Sequence, residues 1–115
     1  MKNYIASQNN LQQFTVNKKQ VSKNKTLKTS VLYNKVESSV NSSINLHKGS
    51  SLTFKSIEFD ILKNAYLNDK LIIKNNIKKL SATEIVLNIT VAKKQEKKQD
   101  IICKATFGYA LLKAS

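Results

Sequence analysis

The spacing of apolar residues divides this chain of 115 residues into two regimes. From Ser30 to about Leu46 the spacing is helical: Val31, Leu32, Val36, Val40 and Ile44 form one stripe. After Gly49 the period falls to two, the signature of strands with one face buried. Ser51–Leu62 sets Thr53, Lys55, Ile57, Phe59 and Ile61 against Leu52, Phe54, Ser56, Glu58, Asp60 and Leu62. Lys70–Leu80 carries Leu71, Ile73 and Ile77 on one face. Glu84–Ala92 alternates Ile85, Leu87, Ile89 and Val91 with Val86, Asn88, Thr90 and Ala92. Ile101–Leu112 puts Ile101, Cys103, Ala105, Phe107, Tyr109 and Leu111 on one face, with Ile102, Gly108, Ala110 and Leu112 on the other.

Upstream, residues 1–10 read as a frayed lead-in and 11–21 as a short strand through Leu11, Phe14, Val16 and Val21. Residues 22–29 are a polar loop, and 93–100 (KKQEKKQD) a charged hairpin tip. The expected fold class is therefore α+β: one domain over 1–115, with one helix covering an antiparallel sheet of about five strands. Short connections predict that the later strands are neighbours in chain order.

The helix has poor intrinsic propensity. Ser38, Ser39, Asn41, Ser42, Ser43 and Asn45 compete for its backbone hydrogen bonds, so packing must hold it. Thr29 or Ser30 is the expected N-cap. Gly49 is the expected left-handed C-cap, with His47 beside it.

Charge changes the picture less than its size suggests. The formal net charge is +13, yet all 20 basic residues are Lys. Base reading and bidentate phosphate clamping favour Arg, so a nucleic-acid partner is not expected. Codon bias in an AT-rich genome, which favours Lys, Asn and Ile, accounts for the composition. The charge still attracts anionic partners, an attraction that salt weakens. With no Pro and two Gly, turns fall to Asn, Asp, Ser and Lys. Cys103 is the one cysteine, which excludes an internal disulfide and fits a reducing, cytoplasmic setting. No apolar run is long enough to span a membrane, and MKNYIASQNN lacks the apolar core of a signal peptide. His47 is the sole histidine, and nothing lies at metal-ligand spacing around it. Phosphate-binding glycine loops and a Gly-x-Ser-x-Gly elbow are absent.

Two stretches carry a family resemblance. Thr29-Ser30-Val31-Leu32-Tyr33-Asn34-Lys35-Val36-Glu37 resembles the helix start of the hotdog-fold thioesterases of the phenylacetate-pathway and 4-hydroxybenzoyl-CoA type. There a Gly-Gly pair opens the helix and an acid follows seven residues after the second Gly, a spacing held here by Ser30 and Glu37. Leu52–Leu71 is similar to the next segment, with Phe59–Ala65 and Asn68-Asp69 in matching places. The resemblance spans about 20–112 and implies a sheet wrapped around a central helix. Three substitutions depart from the pattern. His-Gly-Gly becomes Lys28-Thr29-Ser30, Pro becomes Asn64, and the Gly before Asp69 becomes Asn68.

The implied activity is hydrolysis of an acyl thioester, on CoA or an acyl carrier protein, by a homodimer or homotetramer without cofactor or metal. Glu37 takes the catalytic place, acting across the subunit interface. Thr29, Ser30 and Val31 offer helix N-terminal amides to the oxyanion. Asn34 is placed to orient a water or the carbonyl, and Thr53 to hydrogen-bond Glu37. Asp69 reads as a turn stabiliser and Cys103 as a buried, inert thiol. The lysines of 93–98 read as a solvated tip, or as a docking patch for the carrier. A Cβ at Thr29 and Ser30 takes up room that the glycines leave open. A second reading follows from that: a non-catalytic hotdog protein that binds an acyl thioester or serves as a structural subunit.

Overall fold

The computed structural model describes residues 10–44, 50–95 and 100–113. Five strands form one sheet: β1 (Asn10–Thr15), β2 (Ser50–Ile61), β3 (Lys70–Leu80), β4 (Glu84–Lys93) and β5 (Asp100–Lys113). One α-helix, α1 (Thr29–Ile44), and a 3-10 turn at Lys18–Gln20 complete the elements. The expected first strand is thus shorter than its apolar pattern. Asn17 ends it by capping the 3-10 turn: its side chain accepts from the Lys19 amide, while Gln20 returns a bond to the Asn17 amide. His47, Gly49, residues 1–9 and the tip at 96–99 lie outside the described residues.

The sheet order is β1-β3-β4-β5-β2, antiparallel throughout. This corrects the expectation of neighbours in chain order, because β2 pairs with β5 and never with β3. Residues 62–69 make the crossing possible: eight extended residues reach roughly 26 Å, against about 14 Å for three strand spacings. The segment is pinned on the way by the amides of Leu62 and Lys63, both donating to the Ile102 carbonyl. Asn68 takes a left-handed conformation (φ 73°), which Asn tolerates better than most residues. Asp69 then closes the turn by accepting from the Tyr66 amide at 2.8 Å, and pairs with Lys93.

The core lies between α1 and the β1-β3-β4 side of the sheet. Leu32, Val36 and Val40 meet Leu71, Ile73, Ile85, Leu87, Ile89 and Val91, all 3% exposed or less. Two β-bulges correct the faces read from alternation. In β2 the pairing slips between Phe54 and Ser56, so Leu52 and Phe54 share the helix side with Ile57, Phe59 and Ile61. In β5 a slip opposite Val91 and Ala92 leaves Ile102 as the extra residue, and it is buried in the core. Gly108 faces Ser56 at the first bulge, where a Cβ would meet the Ser56 Oγ at 2.6 Å. Among the described residues no helix is long and apolar enough to cross a membrane.

Candidate functional site

The chain enters α1 under tight control. The Leu27 amide donates to the Ala65 carbonyl, and the Lys28 amide to that of Gln20. The Lys28 carbonyl then accepts from Val31 and Leu32, which makes Lys28 the N-cap position. Neither Thr29 nor Ser30 caps the helix, contrary to expectation; both are exposed residues of its first turn. Among the described residues, their amides have no acceptor. The helix therefore presents free N–H groups and the positive end of its dipole there. Val31 is half-buried.

Ser30, Asn34 and Glu37 follow at helical spacing and are exposed, on the side of α1 turned from its own core. The flanks of the helix differ. On the β1 side, the Lys35 ammonium lies 4.8 Å from the centre of the Phe14 ring. On the other side, Tyr33 reaches across to β5 and β2. Its ring meets Phe59 edge-on at 5.3 Å and lies 6.4 Å from Phe107. Tyr109, next along β5, packs edge-on against Phe54 at 5.7 Å.

Glu37 joins this aromatic group. Burial pushes the Tyr33 phenol above its ordinary pKa, and the charge and hydrogen bonding of Glu37 push it further. Tyr109 is raised too, by burial first, then by Glu37 and Tyr33. In a chain with 20 Lys, no ion pair forms to Glu37 among the described residues; Lys63, Lys79 and Lys93 pair with Asp100, Glu84 and Asp69 instead. The Glu37 carboxylate stands at the border of a bare apolar surface, where Phe54 is 53% and Ile57 36% exposed.

Thr53 does not join the group within one chain. It pairs with Ala110, one step out of phase with the helix-side pair Phe54 and Tyr109, so it projects from the opposite face. That outer face holds an open cavity of about 280 Å³ lined by Lys78, Asn88, Thr90, Lys104 and Thr106. The sheet separates it from Glu37. No cluster of His, Cys, Asp or Glu suited to a metal occurs among the described residues. Cys103 is fully buried, and desolvation pushes its thiol up to about 11, as expected of an inert cysteine. Sequence reasoning gave no role to Tyr109 or to the buried Asn75. Each is a polar-tipped residue at an apolar phase of its strand, which was the available signal.

No family model matches the sequence, and no curated protein does. Solved structures do. An acyl-CoA hydrolase from Staphylococcus aureus, in complex with butyryl coenzyme A, superposes with a TM-score of 0.81 at 13% identity, over 94% of this chain and 68% of that one. A hypothetical thioesterase from Streptococcus pneumoniae, solved with coenzyme A, gives 0.75 at 16% identity over 91% and 79%. A 4-hydroxybenzoyl-CoA thioesterase gives 0.74 at 10% identity over 92% and 85%. The fold is the hotdog fold, shared with acyl-CoA thioesterases of very different sequence.

Proposed function

We propose that the chain hydrolyses an acyl thioester, with Glu37 as base or nucleophile and the amides of Thr29 and Ser30 as oxyanion donors; the Val31 amide, expected to join them, is taken up by the Lys28 carbonyl. One observation carries this: a carboxylate with no ion pair among the described residues, set beside aromatic side chains at the border of a bare apolar face. Support for the substrate class comes from the similar structures, several of which hold coenzyme A or an acyl-CoA. Acyl-CoA is the preferred substrate, in the cytoplasm, over an acyl carrier protein. The +13 charge suits either anionic carrier.

The resemblance implies a site shared between two protomers. Along α1, seven residues at 1.5 Å each separate Ser30 from Glu37 by roughly 10 Å. A second copy brings another Glu37 toward the helix start if it pairs through β2. This strand is an edge, with β5 as its sheet neighbour, and its helix side is apolar. Two-fold pairing there sets the helices side by side, so that Glu37 of one protomer approaches the helix start of the other. Homodimerisation through β2 is thus part of the proposal.

The Streptococcus pneumoniae protein was also solved as an Asp-to-Ala and as a Thr-to-Ala mutant, 16 positions apart. Glu37 and Thr53 have the same separation. That spacing speaks for the pair, and the outward face of Thr53 speaks against a bond to Glu37 of its own chain. The non-catalytic reading rests on the side chains of Thr29 and Ser30, which stand where the resembled enzymes have glycine.

The deciding experiment is thiol release from acyl-CoA thioesters of graded chain length, comparing wild type with Glu37→Gln. A fall of about 100-fold or more, the scale of a lost general base, is expected. Full turnover in the variant removes Glu37. A wild type inert on CoA and carrier thioesters alike leaves the non-catalytic reading.

A further inference from the structure

We propose that the cavity on the outer face of the sheet binds a compact phosphate-type anion, held by Lys78, Asn88, Thr90 and Lys104. The sheet lies between this cavity and Glu37, so the proposal stands whether or not the chain is a thioesterase.

Strand register builds the cavity. On β4 and β5 the pairs Asn88–Thr106 and Thr90–Lys104 point outward, on either side of the inward pair Ile89–Ala105. The side chains of Ile89 and Ala105 belong to the core, so it is their backbone that floors the cavity. The third side is β3. Its pairing with β4 slips between Ile77 and Lys79, which leaves Lys78 as the extra residue. Bulges re-aim side chains, and the two neighbouring lysines part company here. Lys79 pairs with Glu84, whereas Lys78 lines the cavity. The open volume of about 280 Å³ is just under the lower end of small-molecule sites, which suits a small ligand group.

The polarity of the wall selects the ligand. Thr106 Oγ1 donates to Asn88 Oδ1 at 3.0 Å. That bond engages the acceptor of the Asn88 amide and leaves its two N–H groups without a partner among the described residues. Lys78 and Lys104 are exposed and form no ion pair among the described residues. No carboxylate lines the cavity. Glu58 and Asp60 lie one strand further out on β2, opposite Thr106 and Lys104, and Asp60 makes no ion pair with Lys104. Two ammonium groups, an amide and a hydroxyl offer donors almost throughout. They repel a metal cation and call for negative charge with several acceptors, which phosphate supplies. The half-buried Asn88 and Thr90 give direction from the strands, and the lysines give charge. The net charge of +13 draws anions to the whole surface; the unshared donors set this cavity apart from it.

The test is a titration of the full-length protein with diphosphate at about 150 mM NaCl, followed by amide NMR. Saturating shifts are expected in the backbone amides around 88–90 and 104–106 and in the Asn88 side-chain amide. Lys78→Gln with Lys104→Gln is expected to weaken binding about 10-fold or more, the scale of a bond to a charged group. Lys18→Gln with Lys19→Gln removes the same charge from the 3-10 turn and is expected to change affinity by less than about 2-fold. Asn88→Asp keeps the shape and the acceptor for Thr106 but puts a negative charge in the cavity, and is expected to abolish binding. Equal weakening by the two lysine pairs, or shifts scattered over the surface, overturns the inference and leaves the unspecific attraction of a basic chain. Shifts that do not saturate by about 10 mM diphosphate, or binding that survives Asn88→Asp, overturn it as well.

Discussion

Asn75 of β3 and Ser39 of α1 are joined by two hydrogen bonds: the Asn75 side-chain amide donates to the Ser39 carbonyl at 2.8 Å and to its Oγ at 3.1 Å. Both residues are fully buried. A buried polar group is costly unless matched, so this contact selects one seating of the helix on the sheet over its apolar alternatives. The Asn75 Oδ1 has no partner among the described residues, which makes the contact informative about register and a modest contributor to stability. Asn75→Ala is expected to lower stability by about 2–3 kcal/mol, through a cavity and an orphaned hydroxyl. Asn75→Val combined with Ser39→Ala is expected to recover at least half of that. Urea titrations of the three variants measure it.

The bare helix side of β2 predicts a second effect. Ile57 is 36% exposed in the protomer, so Ile57→Lys costs the isolated fold little. Buried in a β2-to-β2 interface, the same lysine would be an unpaired charge, worth several kcal/mol against association. Light scattering is expected to show a dimer for wild type and a folded monomer for the variant. Turnover is expected to vanish with the dimer. A dimer that persists in Ile57→Lys places the interface elsewhere.

Alkaline stability should carry the mark of Cys103. Burial raises its thiol from 9.0 to about 11, with the charge of Asp60 adding to the effect. The folded state thus favours the protonated form. This contribution is fully present below about pH 9 and is lost as pH rises through the folded value, a window worth about 2–3 kcal/mol. Tyr33 and Tyr109 shift the same way, so Cys103→Ala is expected to flatten the decline between pH 9 and 11 without abolishing it. In the native protein at pH 8, a thiol reagent is expected to label Cys103 only at the rate of unfolding.

The sequence showed its elements more clearly than their arrangement. The stripe of Leu32, Val36 and Val40 and the alternation of Ile85, Leu87, Ile89 and Val91 come from burial on one face, which periodicity reports directly. Asn68 stood out as a substitute for glycine, and its φ of 73° bears that out. Three things were hidden. The bulges after Phe54 and opposite Val91 follow from the close approach at Gly108 and from core demand for Ile102, which are tertiary facts. Sheet order was hidden because a loop of eight residues permits either a hairpin or a crossing. The helix cap was hidden because Lys28 has no capping side chain; backbone bonds from the flanking segments start the helix instead. For the site, Glu37 was visible as an acid at a telling spacing. Its aromatic company was not, because Tyr33, Phe59, Phe107 and Tyr109 meet only after β2 has crossed to the far edge.

That crossing governs the order in which the protein can be made. β2 is complete at Ile61, yet its sheet neighbour β5 begins at Asp100. On the ribosome, twelve residues with an apolar side and two unpaired edges must wait for almost forty more to be synthesised. At roughly 5–20 residues per second the wait lasts seconds, long compared with hairpin formation. The strand made last is inserted between two older ones and ties them together. A ribosome that pauses before β5 therefore exposes a sticky, half-finished sheet, and the nascent chain at that stage is a natural client for a holding chaperone.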